Sequence, residues 1–485
     1  MIICMAAIPE AIYSILALNK IGANANILNP TFTSNEMTTL IDEAAPKLLI
    51  VMNELYDCIK ESISKTTVKT VISCAAANSL GICSRIFRKV SKIANTISWS
   101  EFVSDKHIKY KLKSPYKKNQ QAIVVYSSGT TGASKGIQLT NDSINATITE
   151  YRNAGFNIRR QDRYFAQIPI WFSTGISVTI LVPICLGVTV ILEPKFDLKI
   201  LAEHISKYKP NFMVTPSGLI EYLMSNYEIN EAYKYFKYLV IGGDYIVENR
   251  EKQVNQWLEK NGNKNKLQKG YGMCECGGTV TSTLPQCNKI GYAGIPLPHI
   301  IVASFDMNTN KELKYGQRGE IRVLSPCVSI GYLKKPEETA KYFYEDSKGC
   351  KWACTGDMGY VDKDGNVFVC GRISDSYIDE NGETIYLFDI ERTILEILGV
   401  RQCKVVVSEI DGRSRHVAHI VLNKDMRQKD FLNKVNNLCK EKLKPAYIPM
   451  LFKFYDASLP VAPSGKLDIT QMKNDTKEIV HYGGN

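Results

Sequence analysis

Residues 126–136 concentrate groups that bind anions. Ser127, Ser128, Gly129, Thr130, Thr131, Gly132 and Lys135 fall within nine consecutive positions. Glycines let backbone amides come close to an anion, hydroxyls donate to phosphate oxygens, and the lysine adds positive charge. The pattern is not the P-loop, because no glycine precedes Lys135 and no Ser or Thr follows it. A second loop sets Tyr271 between Gly270 and Gly272, with Cys274 and Glu275 close behind. A tyrosine between glycines can lay its ring on a base, and a neighbouring carboxylate can hold Mg²⁺. Taken singly, this loop is a weak signal. A third group joins Thr355, Gly356 and Asp357 to Arg372. An aspartate can accept from two ribose hydroxyls, and the arginine could complete that grip. The fourth places Lys466 at the tip of a Pro/Gly-rich loop, where a lysine is ordinarily just solvated.

These loops need a frame that holds them together. Residues 122–126 form a β-type run, with a helical stretch from Asn141. Similar runs at 188–192, 212–214 and 238–241 are each followed by a loop and a helical pattern, the last after Gly242 and Gly243. This order predicts an α/β fold, a mostly parallel sheet covered by helices. In such sheets ligands collect at the carboxyl ends of the strands. Thr33 and Glu36 predict a capping box. From about Gly291 the texture changes to short antiparallel strands, with a hairpin turn at 362–365. After Arg372 a smaller α+β unit of about a hundred residues begins, with a hairpin over 403–422, a helix over 428–443 and an extended run at 450–455.

Composition narrows the function classes. The chain has 485 residues, or two to three domains at roughly 150 residues each. Its 60 Lys and Arg against 49 Asp and Glu give a formal charge of +11. No dense basic run interleaved with aromatics is present, so nucleic acid is not the expected partner; anionic small molecules or an acidic partner surface fit the excess. Fourteen cysteines, none in zinc-type spacing, read as reduced thiols of a cytoplasmic protein. No stretch reaches the ~20 apolar residues of a membrane span. Residues 1–18 are apolar but lack a basic start and contain Pro9 and Glu10, so a buried helix running on to Lys20 is expected rather than a signal peptide.

Together and in this order, the four loops resemble the signatures of the adenylate-forming (AMP-binding) superfamily, of the acyl-CoA synthetase type. The loop from Ser127 to Lys135 is similar to its phosphate loop, and Tyr271 to Glu275 to its Tyr-Gly-x-Thr-Glu motif. Thr355 to Asp357, Gly371-Arg372 and Pro463 to Lys466 look like its later motifs; Asn29-Pro30 with Thr33 to Glu36, and Gly331-Tyr332 before Pro336 and Thr339, also match. The resemblance implies a large N-terminal domain over 1–371, with a small β-barrel-like part, a hinge at 372–375 and a small mobile C-terminal domain over 376–485. It implies ATP, Mg²⁺ and coenzyme A as reactants and cofactor. A carboxylate would attack the α-phosphate of ATP, and a thiol would then displace AMP. Thr130 and Glu275 would lie near Mg²⁺, Tyr271 on adenine, Asp357 and Arg372 on the ribose, and Lys466 at the reacting oxygens. Trp171, Phe172, Gly242 and Gly243 are the candidates for the acyl pocket.

Several positions depart from the family pattern. Ser134 stands for a proline, Cys274 for a threonine, Phe172 for a frequent histidine, Ser374 for a hinge lysine and Ile469 for an arginine. The family also has a further section ahead of the equivalent of Met1, so the chain is expected to be a fragment or to have a pared-down start. Apolar faces around residues 1–20 would then lie open, predicting poor solubility or a homodimer that buries them. Two rival readings stay open. One is an acyl-adenylate ligase that loads an acyl carrier protein; the basic face at 440–444 could meet such a carrier or the phosphates of coenzyme A, with a solvated helix end as the plainer account. The other is an inactive nucleotide- or acyl-binding relative.

Overall fold

The computed structural model describes residues 1–76, 93–104, 114–127, 134–194, 197–227, 229–380, 382–461 and 467–482. The first sheet takes seven strands: Ile2–Cys4 (β1), Ala25–Ile27 (β2), Leu49–Met52 (β3), Val71–Cys74 (β4), Ile97–Ser98 (β5), Gln121–Ser127 (β6) and Lys135–Thr140 (β7). Their order is β5-β4-β3-β1-β2-β6-β7, parallel except where β7 runs back against β6. The opening segment therefore differs from the expected single helix. Its first residues form a central strand buried on both faces, and Pro9 then starts a helix, Pro9–Lys20. That helix buries Ile12, Ile15 and Leu18 but exposes Tyr13 (62%) and Leu16 (45%).

The second sheet repeats the design. Its strands are Arg163–Ala166 (β8), Thr189–Leu192 (β9), Phe212–Thr215 (β10), Tyr238–Gly242 (β11), Gln268–Tyr271 (β12), Thr281–Ser282 (β13) and Ile295–Pro296 (β14). The order is β14-β13-β12-β11-β10-β8-β9, with the five strands from β8 to β12 parallel. Helices Leu198–Tyr208, Ser217–Asn226 and Glu248–Lys260 connect them. Leu201, Ile205, Leu223 and Trp257 seal a core against Phe165, Met213 and Leu239. The capping box is present: Glu36 accepts from the Thr33 amide at 2.9 Å while Thr33 Oγ1 accepts from the Glu36 amide.

The strands of the third sheet pair antiparallel, as the shorter runs predicted. Ile301–Phe305 (β15), Gly319–Leu324 (β16), Phe343–Glu345 (β17), Lys351–Val361 (β18) and Val367–Arg372 (β19) make one sheet. Asp362 Oδ1 accepts from the Asp364 and Asn366 amides and shapes the turn between β18 and β19. A short hairpin, Ser376–Ile378 (β20) with Thr384–Tyr386 (β21), comes next. The last sheet holds Val400–Ile410 (β22), Arg413–Leu422 (β23), Leu451–Tyr455 (β24) and Val480–His481 (β25). Asp411 and Gly412 both have positive φ between β22 and β23, the twist a tight hairpin needs. Among the described residues, no helix is long and apolar enough to cross a membrane.

Candidate active site

β6 and β7 pair in register up to Ser127 opposite Lys135. The Ser/Thr/Gly loop is thus the connection of an antiparallel hairpin, and its two ends are held side by side. Ser128, Gly129, Thr130, Thr131 and Gly132 lie outside the described residues, as does Lys466. Lys135 Nζ sits 5.0 Å from the centre of the Tyr332 ring. The Tyr332 hydroxyl donates to Glu275 Oε1 at 2.9 Å, and burial with that carboxylate raises its pKa. Tyr332 is held by its own motif, because its amide donates to Thr339 Oγ1 at 2.9 Å. Gly331, at φ +126, lies so close to Thr339 that a Cβ would come within 2.3 Å. The sequence shows Gly331-Tyr332 and Thr339 as a motif but gives Tyr332 no role; the fold supplies one, as the link between Lys135 and Glu275.

The second and third loops meet. β11 and β12 run parallel with Gly242 opposite Gly270, so two residues without side chains stand together at the carboxyl ends. Tyr271 follows, and its hydroxyl donates to Asp357 Oδ2 at 2.5 Å. Gly272 is needed for close approach, since a Cβ there would lie 2.5 Å from the Gly278 carbonyl oxygen. Asp357 and Arg372 face each other across β18 and β19, with Arg372 Nε 3.0 Å from Asp357 Oδ1. Arg372 also donates to the Thr355 carbonyl at 2.9 Å. Burial pushes the Asp357 carboxyl above the usual range, against the opposing pull of Arg372 and the Tyr271 hydroxyl. Burial first, then the Asp357 charge, raises Tyr271 far more.

These groups border one cavity of about 1510 Å³. Its wall includes Ser127, Lys135, Tyr271, Glu275, Gly356 and Arg372. Asp357 itself is 5% exposed and lies behind Tyr271 and Arg372 rather than on the wall. Gly270, Gly272 and Cys274 are on the wall too. Of the acyl-pocket candidates, Phe172, Gly242 and Gly243 line it. Trp171 does not; it packs against the core under the first sheet. The wall segment after β8 passes into a wide π-helical turn, Thr174–Leu181, and Gly175 sits where a Cβ would meet the Pro169 carbonyl at 1.9 Å. Among the described residues, no group of three or more His, Cys, Asp or Glu could hold a metal ion.

Residues 373–375 form a turn directly after β19. Ile373 donates to the Gly356 carbonyl at 2.9 Å, and Lys404 on β22 holds Asp375 at 3.1 Å and the buried Glu391 at 2.9 Å. Arg318 makes two bonds to Asp389, at 2.8 and 2.9 Å. Val461 and Leu467 pair across the base of the loop that carries Lys466.

A family model described as AMP-binding enzyme matches residues 1–333. The 4-coumarate–CoA ligase-like 2 protein of Arabidopsis thaliana is 26% identical over 477 residues, covering 93% of this chain and 77% of that protein. The 2-succinylbenzoate–CoA ligase of Bacillus pumilus is 28% identical over 372 residues, covering 75% and 71%. The fold is shared with O-succinylbenzoate coenzyme A synthetase from Bacillus subtilis, solved with ATP and a magnesium ion. That match has a TM-score of 0.73 at 21% identity and covers 98% of this chain and 89% of the other.

Proposed function

The chain belongs to the AMP-binding enzyme family, and on that premise we propose that it activates a carboxylic acid with ATP and passes the acyl group to coenzyme A. The observation that carries this reading is the joining of Tyr271, Asp357 and Arg372 beside a cavity that also reaches Ser127, Lys135 and Glu275. Base-, ribose- and phosphate-type groups then serve one nucleotide. In the first step a carboxylate oxygen of the acid attacks the α-phosphorus, the bond to the bridging oxygen breaks, and pyrophosphate leaves. In the second, the CoA thiol loses its proton and attacks the acyl carbon, and AMP leaves with the former carboxylate oxygen.

The chain's contribution is fixed positive charge and donors where negative charge is shared. The hairpin loop with Thr130 and Lys135 would hold the leaving phosphates. Tyr271 would pack on adenine, Arg372 and Asp357 would hold the ribose, and Lys466 would bridge the reacting oxygens. Glu275 fits Mg²⁺ as a single carboxylate, since this ion takes one or two carboxylates and keeps phosphate oxygens and water for the rest. Bound there, Mg²⁺ would offset charge on the phosphates. The turn at 372–375 is the proposed hinge between a domain over 1–371 and one over 376–485. Coenzyme A is favoured over a carrier protein because the relatives it resembles are named as CoA ligases. The test is a panel of carboxylic acids with Mg-ATP, read as pyrophosphate release, then CoA and mass detection of the thioester. No pyrophosphate release above the acid-free rate with any acid would leave the inactive relative as the better reading.

A further inference from the structure

The far end of the cavity is built from rings that the nucleotide does not need. β10 lies between β8 and β11, and the register sets Phe212 opposite both Tyr164 and Tyr238. The Tyr164 and Phe212 rings stack at 5.9 Å and 6°, and those of Phe212 and Tyr238 at 5.1 Å and 13°. Phe156 meets Tyr238 edge-on at 5.3 Å. All four line the cavity, and the ladder residues are 4–7% exposed. The three ladder residues stand at or near the amino ends of β8, β10 and β11, and β11 carries Gly242 at its carboxyl end.

Side chains on one face of a strand recur every second residue, so Tyr238, Val240 and Gly242 face the same way, and all three line the cavity. Four residues of strand between Gly242 and Tyr238 span about 13 Å. That length takes an extended tail of roughly ten carbons, because a zigzag of ~1.5 Å bonds advances only ~1.25 Å per bond. Gly242 and Gly270 leave the top open, and the ring ladder closes the bottom. β8, β10 and β11 bring no charged residue to the wall; Lys135, Glu275 and Arg372 come from the hairpin, the loop after β12 and the third sheet. A second carboxylate carried down this face would be desolvated among rings with no positive charge to pair with it, which is unfavourable.

We propose that the acid is an apolar monocarboxylic acid with a tail of about ten carbons or fewer, and that the Tyr164–Phe212–Tyr238 ladder is the floor that sets its length. This rests on the activity proposed above. It also sets the chain apart from its 2-succinylbenzoate-ligating relative, whose named substrate carries two carboxylates.

The test uses straight-chain acids from four to sixteen carbons, with adipate and 2-succinylbenzoate as dicarboxylate arms, read as kcat/KM for pyrophosphate release. Calorimetry with the matching acyl-sulfamoyl-adenosines, which cannot react, gives a readout free of turnover. Both profiles should peak near eight to ten carbons and fall at least tenfold by sixteen, with the dicarboxylates at least tenfold below the best monocarboxylate. Phe212→Ala should move the peak to longer acids and Val240→Phe to shorter ones, each by about tenfold in the ratio of fourteen to eight carbons, the scale of a few methylenes in an apolar pocket. If Phe212→Ala fails to fold, Val240→Phe alone decides. A peak at sixteen carbons, a preference for a dicarboxylate, or length profiles unmoved by the folded variants overturns the proposal and leaves the ligase reading standing. No pyrophosphate from any acid and no binding of any analogue overturns both.

Discussion

Asp357→Asn changes the charge at the ribose end and almost nothing else. In the wild type the buried carboxylate accepts from the Tyr271 hydroxyl at 2.5 Å and pairs with Arg372, whose Nε lies 3.0 Å away. Asparagine keeps an oxygen for Tyr271, and the Arg372 side chain, 54% exposed, can turn to water. Folding should therefore survive. A carboxyl whose folded pKa is raised by burial binds protons more tightly folded than unfolded. Stability from this group is greatest below the ordinary carboxylate value and falls as pH rises through the raised one. The asparagine variant lacks that fall, so at neutral pH its melting temperature should match or exceed the wild type's.

Nucleotide affinity should move the other way. A ribose hydroxyl donating to a carboxylate is worth about 1.5–3 kcal/mol net, so ATP and AMP should each bind about 10- to 150-fold more weakly. Because Asp357 lies behind Arg372, the arginine must shift as the ribose enters, and the effect should be shared by Arg372→Ala without summing to twice its size. Calorimetry of ATP and AMP at several pH values is the assay. Wild-type affinity should weaken as pH falls through the raised Asp357 value, and the variant should show no such step. An Asp357→Asn protein that binds ATP with wild-type affinity would refute the assignment of this carboxylate to the ribose.

Lys466→Ala should slow pyrophosphate exchange about 10²–10³-fold, the scale of one preorganised donor, while ATP binding and thioester formation from supplied acyl-adenylate change far less; equal loss in both half-reactions would point to general damage. Ordinary α-amino acids should give little exchange, because residues 169–177 contain no acid to pair with the ammonium; strong exchange with any of them would sink this. His419, buried on β23 beside Tyr455, Asp475 and Lys453, has its pKa pushed down to about 4 by burial. The unfolded chain takes up its proton first, so stability should drop by at most about 3 kcal/mol as pH falls from 6.5 to 4. Urea titrations across that window should show a flatter slope for His419→Gln, and identical slopes would remove His419 from the account.

The parts of the site that were legible in the sequence are those carried by short consecutive stretches at strand ends. Gly270 to Glu275 and Thr355 to Asp357 show their residue types within a few positions, but the strands that hold them, Gln268–Tyr271 and Lys351–Val361, mix polar and apolar residues and were not marked by apolar runs. β7 was not legible, since Lys135–Thr140 mixes polar and apolar residues and gains its strand character only by pairing with β6. Ile2–Cys4 reads as the start of an apolar helix because a strand buried on both faces shows no alternation. Trp171 and Phe172 are neighbours with different fates, one half-buried against the core and one on the cavity wall, and composition cannot separate them. The ring ladder was invisible for another reason. Tyr164, Phe212 and Tyr238 are ordinary aromatic strand residues until the register of three parallel strands brings them together.

The central claim is that a carboxylate oxygen attacks the α-phosphorus of ATP. A single-turnover reaction with an acid labelled with ¹⁸O in both carboxylate oxygens tests it directly, using an eight- to ten-carbon acid, Mg-ATP and CoA. One labelled oxygen should appear in AMP, raising its mass by about two units, with pyrophosphate unlabelled and one label left in the thioester. Unlabelled AMP, or labelled phosphate with ADP as the product, would contradict the account.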